Sequence, residues 1–440
     1  MITNERDDVG LWYAIACGLL LIVAAAIRFR FLGSTLFEDE VWVAELVRRG
    51  DWHPHSYNAP PLFYAIERAW IAIRGVSNTA LREPAAFFGV ALCAVPFFAA
   101  MPRVTRIVWA TLLAFSSPLL FYSEHAKQYT LEAFVVTLLI ILFLRMTETP
   151  SALTTITFFL IAALSVTTLH APVIVIGAMA VLCLRRPRML AGFVVIIALW
   201  VAAYLAWMKP GPETTRLHGD MNQFFAEGGR WVSTPRLFLS DTLHWVGQSL
   251  NLVRFWWLVI PLLVLIWLVR ERNIVISVLA VLPALAVVAA SALHLYPYGE
   301  VRLMIFCFPA LFLLIAESLT VAARRVPLLL LLVAPFVFNG LARDTYNATY
   351  MKIYDLRPMF EVVVRSHVPG EPIYADASFA GPLHYEYPIV GADIHAGMQK
   401  TADAPGWYIQ RVSTLGTGDR DVVIRIGDVI AMHKAAAGCP

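Results

Sequence analysis

The sequence predicts a mainly α, polytopic membrane protein with about eleven transmembrane helices and a small C-terminal extracytoplasmic α/β domain. Three observations predict it. Of 440 residues, 59% are hydrophobic and only 15% charged, where a soluble domain would be about a quarter charged. Apolar runs recur through residues 11–341, most of them near the length that crosses ~30 Å of hydrocarbon. Short basic connections follow alternate runs, as cytoplasmic loops do.

The runs are residues 11–27, 84–100, 107–121, 131–144, 152–169, 171–184, 189–207, 255–268, 274–293, 303–319 and 326–341. No basic stretch precedes the first and no small-residue cleavage pattern follows it, so it reads as a retained span. Runs 131–144, 171–184 and 255–268 are short, which marks one of them as broken, partly inserted or longer than drawn. The basic connections are MPRVTR (101–106), RRPR (185–188), RER (270–272) and AARR (322–325). They place the N-terminus in the cytoplasm and the alternate loops outside. Arg28, Arg30, Arg48 and Arg49, in the first outward loop, run against this rule, and four agreeing loops outweigh them.

Two domains follow. Residues 1–341 form the transmembrane module, with a first outward loop at 28–83 and a long one at 208–254. Residues 342–440 form the small domain. Within it, 355–367 has the pattern of an amphipathic helix, VPGEPIYADA that of a turn feeding a strand, and SFAGPLHYEY that of a helix. DVVIRIGDVIAM (421–432) reads as one further strand. Cys17, Cys93, Cys183 and Cys307 fall in apolar runs and Cys439 stands alone, so no disulfide framework is readable. A net charge of +3 gives no case for nucleic acid as a partner.

The chemistry gathers in the outward loops. FEDEVWVAEL (37–46) places Glu38, Asp39 and Glu40 in a row soon after the first span. Glu124 and Lys127 lie in the second outward loop, and Glu300 and Arg302 abut the tenth span. Carboxylates beside cations suit a reaction in which a base takes a proton while cations hold a phosphate. The plainer readings are an acidic helix cap for Asp39 and Glu40, and headgroup snorkelling for Lys127 and Arg302. His53 and His55, in WHPHSYN, are candidate ligands for a divalent cation, although a His-x-His pair lacks the spacing of a dedicated site. Phe224, Phe225, Trp231, Phe238 and Trp245 suit the long outward loop to the membrane interface.

Four stretches resemble the GT-C superfamily of integral-membrane glycosyltransferases, in particular the branch of protein O-mannosyltransferases and lipid A aminoarabinose transferases. They are the Asp39-Glu40 pair with the helix-like VWVAELVRRG, the aromatic NAPPLFYAIERAW (58–70), YSEHAKQYTLEAF (122–134) and YPYGEVRLMIFCFPAL (296–311). Lys127 stands where this branch usually carries arginine, and Asn58-Ala59 where aminoarabinose transferases carry a lysine. The resemblance implies a GT-C fold in the cell (bacterial inner) membrane, a polyprenyl-phosphate sugar donor, and a lipid, glycan or protein acceptor. It implies Asp39, with Glu40 beside it, as the catalytic carboxylate, and Lys127 and Arg302 on the donor phosphate. It further implies Glu124, Tyr129, Tyr64, Tyr298 and Glu300 as substrate-binding residues; no motif calls for a cofactor, and a divalent cation stays open. The rival class is a transporter or flippase of an amphipathic substrate. Such proteins place polar groups at mid-membrane and often carry inverted repeats. Here the central parts of the spans lack Asp, Glu, Lys and Arg, and no repeat is seen.

Overall fold

A computed structural model describes residues 4–50, 60–209, 247–249, 251, 263–264, 266–267, 274–293, 295–296, 298, 301–353, 355–396, 405–411, 421–426 and 429–434. The chain divides into two compact units. Met1–Arg30, Trp52–Ala69 and Arg82–Thr345 form the first; Phe31–Asp51, Trp70–Leu81 and Tyr346–Pro440 form the second.

Among the described residues the helices are, in order, α1 (Asn4–Arg28), α2 (Glu38–Arg49), α3 (Pro61–Arg74), α4 (Asn78–Ala94), α5 (Arg103–Phe115), α6 (Ser117–Ser123), α7 (Tyr129–Glu148) and α8 (Ala152–Thr168). They continue as α9 (Pro172–Leu182), α10 (Pro187–Ala203), α11 (Ile274–Ala292), α12 (Val301–Met304), α13 (Phe308–Ala323), α14 (Val333–Ile353), α15 (Arg357–Ser366) and α16 (Ala377–Glu386). Among the described residues, seven stretches are long and apolar enough to cross a membrane: Gly10–Arg28, Asn78–Phe98, Tyr129–Glu148, Pro187–Met208, Ile274–Ala292, Val301–Ala323 and Pro327–Thr345. The α5–α6 pair makes an eighth, and α8 and α9 are shorter apolar helices. Each coincides with one predicted run. The remaining run, 255–268, lies largely outside the described residues, as does most of the loop 208–254 with its five aromatics.

Of the alternatives left open for the short runs, the fourth run takes the last: it is longer than drawn, with α7 extending over Tyr129–Glu148. The broken span is the third, bent by 59° between α5 and α6. Ser116 turns extended there (ψ 119°), and Pro118 lies in the first turn of α6, where its missing N–H costs no helix bond. Breaking a buried helix exposes backbone groups, and Asn251 takes them up. Its Oδ1 accepts from Ser117 N at 2.7 Å, and its Nδ2 donates to Phe115 O and Phe336 O, both at 2.9 Å. Asn251 itself is left-handed (φ 58°), a region asparagine tolerates better than most residues. Gly340 of α14 completes the fit, since a Cβ there would stand 2.1 Å from Phe115 O.

Helix α13 is the most deeply buried and packs on α5, α7 and α11; Trp109 of α5 donates to Pro309 O at 2.9 Å. Phe143, Phe158, Phe159 and Phe193 interlock α7, α8 and α10, with neighbouring ring centroids 5.2 to 6.4 Å apart. Hydroxyls inside these helices bond back one turn, as Thr137 does to Ala133 O at 2.7 Å and Ser318 to Leu314 O at 2.8 Å.

Among the described residues the second unit holds a five-stranded sheet of order β2-β1-β3-β5-β4. Its strands are β1 (Ile373–Ala375), β2 (Ile394–Ala396), β3 (Gly406–Arg411), β4 (Asp421–Ile426) and β5 (Val429–Lys434). β1 runs parallel to β2 and β3, while β3, β5 and β4 are antiparallel. The segment expected to be one strand over 421–432 is therefore a hairpin. Period-2 alternation puts Ile373, Ala375, Trp407, Ile409, Val429 and Ala431 on one face, where they pack with Met359, Phe360 and Val363 of α15 and Leu383 of α16. Gly406 (φ 137°) is required where it stands: a Cβ would meet Pro372 O at 2.4 Å.

Replacing Asn251 by Ala leaves the buried Ser117 N–H and two carbonyls without that partner, at a cost of about 1–3 kcal/mol for each group left unsatisfied. The variant is expected to unfold at a clearly lower temperature than wild type in the same detergent. Unchanged melting would mean that the break is held by other contacts.

Candidate functional site

The sharp turn between α6 and α7 positions the first set of candidate residues. α6 ends as Glu124 N bonds Phe121 O at 3.1 Å, and Lys127 N returns to His125 O at 2.7 Å before α7 begins at Tyr129. All of Glu124, His125, Lys127 and Tyr129 are buried, Glu124 only 2% exposed and Lys127 5%. The His125 ring sits 4.2 Å from Phe121 and holds Phe121 O at 2.7 Å; Tyr122 and Tyr129 meet edge to face at 5.1 Å. The turn is thus closely packed and buried, and its charges act in a low-dielectric setting.

Around Glu124 lie charged groups from three other helical segments. Arg28 ends α1 and Arg30 follows it; Arg82 belongs to α4 and Asp344 to α14. Arg30 pairs with Asp344. Arg28 is fully buried and donates to Ala24 O (3.2 Å), Leu113 O (3.3 Å) and Ala114 O (3.1 Å). Gly89 makes room for it, because a Cβ there would lie 2.8 Å from both Arg28 Nε and Ser123 Cβ. Burial pushes the Glu124 carboxyl up to about 8; Asp344 acts in the same direction, while Arg30, Arg28 and Arg82 oppose it. Glu124 Oε1 has no hydrogen-bond partner among the described residues. The result is a net-cationic cluster at one end of the helical unit, three residues from Lys127.

The other candidates are placed as follows. Arg302, half-buried, lies on α12, which packs against α6, the helix that leads into Glu124; Tyr298 is 2% exposed. Tyr64 is half-buried on α3, one turn from the buried Glu67. His53, His55 and Glu300 lie outside the described residues, and among the described residues no group of three metal-ligating side chains occurs. Asp39 and Glu40 belong to the second unit, on the first turn of α2. Glu40 is fully buried and its Oε2 accepts from Phe37 N at 2.9 Å, closing the start of the helix; Asp39 beside it is half-buried.

Sequence reading missed Arg82, Asp344 and Glu67. Arg82 and Asp344 sit just beyond the edge of an apolar run, where a charge reads as the start of a loop, and Glu67 lies within the first outward loop. An ionisable residue at a span end is nonetheless the available signal. The arginines that conflicted with the basic-loop rule all have intramolecular partners: Arg28 its carbonyls, Arg30 Asp344, Arg48 the Tyr385 ring at 5.1 Å, and Arg49 Glu45 at 3.3 Å. They answer to packing. At the opposite helix ends, Arg106 of the basic connection 101–106 reaches Phe97 O at 2.9 Å, and Arg145 bonds Phe98 O.

No family model and no curated protein matches the chain. Solved structures do. ArnT from Cupriavidus metallidurans bound to undecaprenyl phosphate superposes with a TM-score of 0.58 at 14% identity, covering 95% of this chain and 98% of that one. ArnT of the same organism in the apo state gives a TM-score of 0.55 at 14% identity, covering 94% and 97%. The chain therefore has the ArnT-like GT-C fold, as the four sequence stretches implied.

The folded Glu124 holds a proton that the unfolded chain releases, because its value rises from 4.5 to about 8. The folded state binds more protons between those two pH values, so stability falls as pH rises through that window. Glu124→Gln keeps the neutral shape and removes this term. Melting temperatures of the two proteins should differ least near pH 5, with the variant gaining as pH approaches 8. A difference that does not grow with pH would mean that the carboxylate is already ionised in the fold.

Proposed function

We propose that the chain is a membrane glycosyltransferase that moves a sugar from a polyprenyl-phosphate donor to an acceptor hydroxyl on the extracytoplasmic side. The observation that carries this reading is the buried cationic cluster beside Lys127, in a fold shared with a protein whose structure holds undecaprenyl phosphate. A phosphate leaving in a dry setting needs fixed positive charge, since water is not there to solvate it.

In the proposed reaction the Asp39 carboxylate accepts the proton of the acceptor hydroxyl. That oxygen forms its bond to the anomeric carbon as the bond from carbon to the phosphate oxygen breaks. The electron pair leaves on the lipid phosphate, whose charge Lys127 and Arg302 stabilise. Glu40, which closes the α2 entry, supports Asp39 instead of acting as the base. Tyr64, Glu124, Tyr129, Tyr298 and Glu300 are proposed to contact the donor.

Sidedness rests on the basic connections at the helix ends away from the Lys127 turn, which the rule for cytoplasmic loops assigns inward. Both the reacting groups and the sheet-bearing unit then face outward. Among the described residues the buried charges of the spans lie toward span ends: Glu132 in the first turn of α7, Arg28 at the end of α1, Arg82 and Glu83 in the second turn of Asn78–Phe98, Asp344 beside the end of Pro327–Thr345. Glu317 is the most interior and is half-buried. This distribution favours chemistry at the membrane surface over transport through its middle.

Purified protein incubated with a panel of undecaprenyl-phosphate sugars tests the reading. Asp39→Asn should lose at least ~100-fold in turnover while still binding undecaprenyl phosphate, the low end of what a general base contributes. Near-normal transfer by Asp39→Asn removes it as the base. Lys127→Ala and Arg302→Ala should each weaken undecaprenyl phosphate binding by roughly 10-fold or more, as expected for a charge-assisted bond. Wild-type affinity in both variants would sink the phosphate assignment. Ile389, 84% exposed in the second unit, gives the sidedness test. Ile389→Cys in a Cys439→Ser background should react with a membrane-impermeant maleimide from outside intact cells. Reaction only after permeabilisation would invert the topology.

A further inference from the structure

The first turn of α2, which carries Asp39, is gripped from segments far away in the chain. Asn78, the first residue of α4, donates through Nδ2 to Ser34 O at 3.2 Å and to Glu386 Oε1 at 3.0 Å. One residue on, the Thr35 hydroxyl donates to Asp355 Oδ1 at 3.1 Å and accepts from Leu356 N at 3.0 Å. Two residues further, Phe37 N is taken by Glu40. Positions 34, 35 and 37 are thus each fixed by a directed bond immediately before the turn that bears Asp39.

The anchors are themselves held. Asp355 also receives Arg357 Nε at 2.6 Å; burial alone would raise its carboxyl, and the bonds from Arg357 and Thr35 keep it below the usual carboxylate range, so it stays ionised. Glu386 ends α16, and α16 packs along α2. At the far end of α2, Arg48 lies over the buried Tyr385 ring at 5.1 Å, and Gly50 closes the helix in the left-handed conformation (φ 75°). All these residues belong to the second unit. Within it, α2 is a helix locked in place at both ends.

We infer that Thr35 and Asn78 are positioning residues for Asp39, holding the entry turn of α2 on side chains that the C-terminal chain supplies, Asp355 and Glu386. The inference rests on the reading of Asp39 as the base. A general base acts only within hydrogen-bond reach of its proton, and a misplacement of about 1 Å costs on the order of 100-fold. Four directed bonds before the first turn specify that placement more narrowly than apolar packing along α2 does.

The test uses the full chain in lipid nanodiscs, with Thr35→Val, Asn78→Ala and the conservative Thr35→Ser. Three quantities are read: amide hydrogen exchange over residues 38–43, affinity for undecaprenyl phosphate, and kcat and KM with whichever undecaprenyl-phosphate sugar of the panel is turned over. Thr35→Val and Asn78→Ala should speed exchange in the first turn of α2 by about tenfold, since local opening becomes easier. They should lower kcat by about tenfold with KM and lipid affinity within about twofold of wild type, and Thr35→Ser should keep both near wild type. Unchanged exchange overturns the inference, and so does a faster exchange that leaves kcat intact. A loss of lipid affinity in step with kcat also overturns it, because that marks general damage to the fold. Faster exchange in a protein that transfers no sugar of the panel supports the positioning and counts against the proposed function instead.

Discussion

Hydrocarbon offers no hydrogen bonds, so every polar group that a membrane-spanning chain buries must find its partner inside the protein. Much of the first unit follows from this single constraint. Hydroxyls in the spans bond back to their own helix, the α5–α6 break is closed by Asn251, and the fully buried Arg28 directs its guanidinium to carbonyls of α1 and α5. Where the constraint is met by charges, they gather at helix ends. There, ionised groups reach one another and the membrane surface lies close by. Arg28, Arg30, Arg82, Asp344 and Glu124 form one such place.

The same physics accounts for what was readable in the sequence. The spans were legible because about twenty apolar residues in succession have few other uses. The broken third span was not, since Ser116, Ser117 and Pro118 interrupt an otherwise apolar run too briefly to divide it. Its stability depends on Asn251, more than 130 residues away, and no local pattern announces such a partner. Arg28 and Arg30 were visible only as exceptions to a charge rule. Their explanation, Asp344 for one and the α5 carbonyls for the other, lies 85 to 314 residues off in sequence.

In the second unit the helices α15 and α16 and strand β1 fell close to their expected positions, through amphipathic and turn patterns. The hairpin β4–β5 did not, although its signal was present: Gly427-Asp428 separates two β-branched runs and is a two-residue hairpin signature. Strand β3, GWYIQR, was overlooked because its alternation mixes large aromatics with polar residues. Of the candidate site, the carboxylates and cations were named from loop position and resemblance, whereas the burial of Lys127 and Glu124 was a matter of packing. Burial changes what these groups can do, since Glu124 near neutral pH is a proton donor as much as a charge.

The composition of the second unit has a consequence for how the protein is made. Thr35 and its partner Asp355 are separated by 320 residues of chain. At ribosomal speeds of about 5–20 residues per second, the entry turn of α2 emerges on the order of tens of seconds before the aspartate that secures it. Throughout that interval most of the helical spans are being inserted, and α2 must stay soluble and uncommitted with its apolar side not yet covered by α16. Its content of charged residues, Glu45, Arg48 and Arg49 among them, suits a segment that waits in water for the last quarter of the polypeptide.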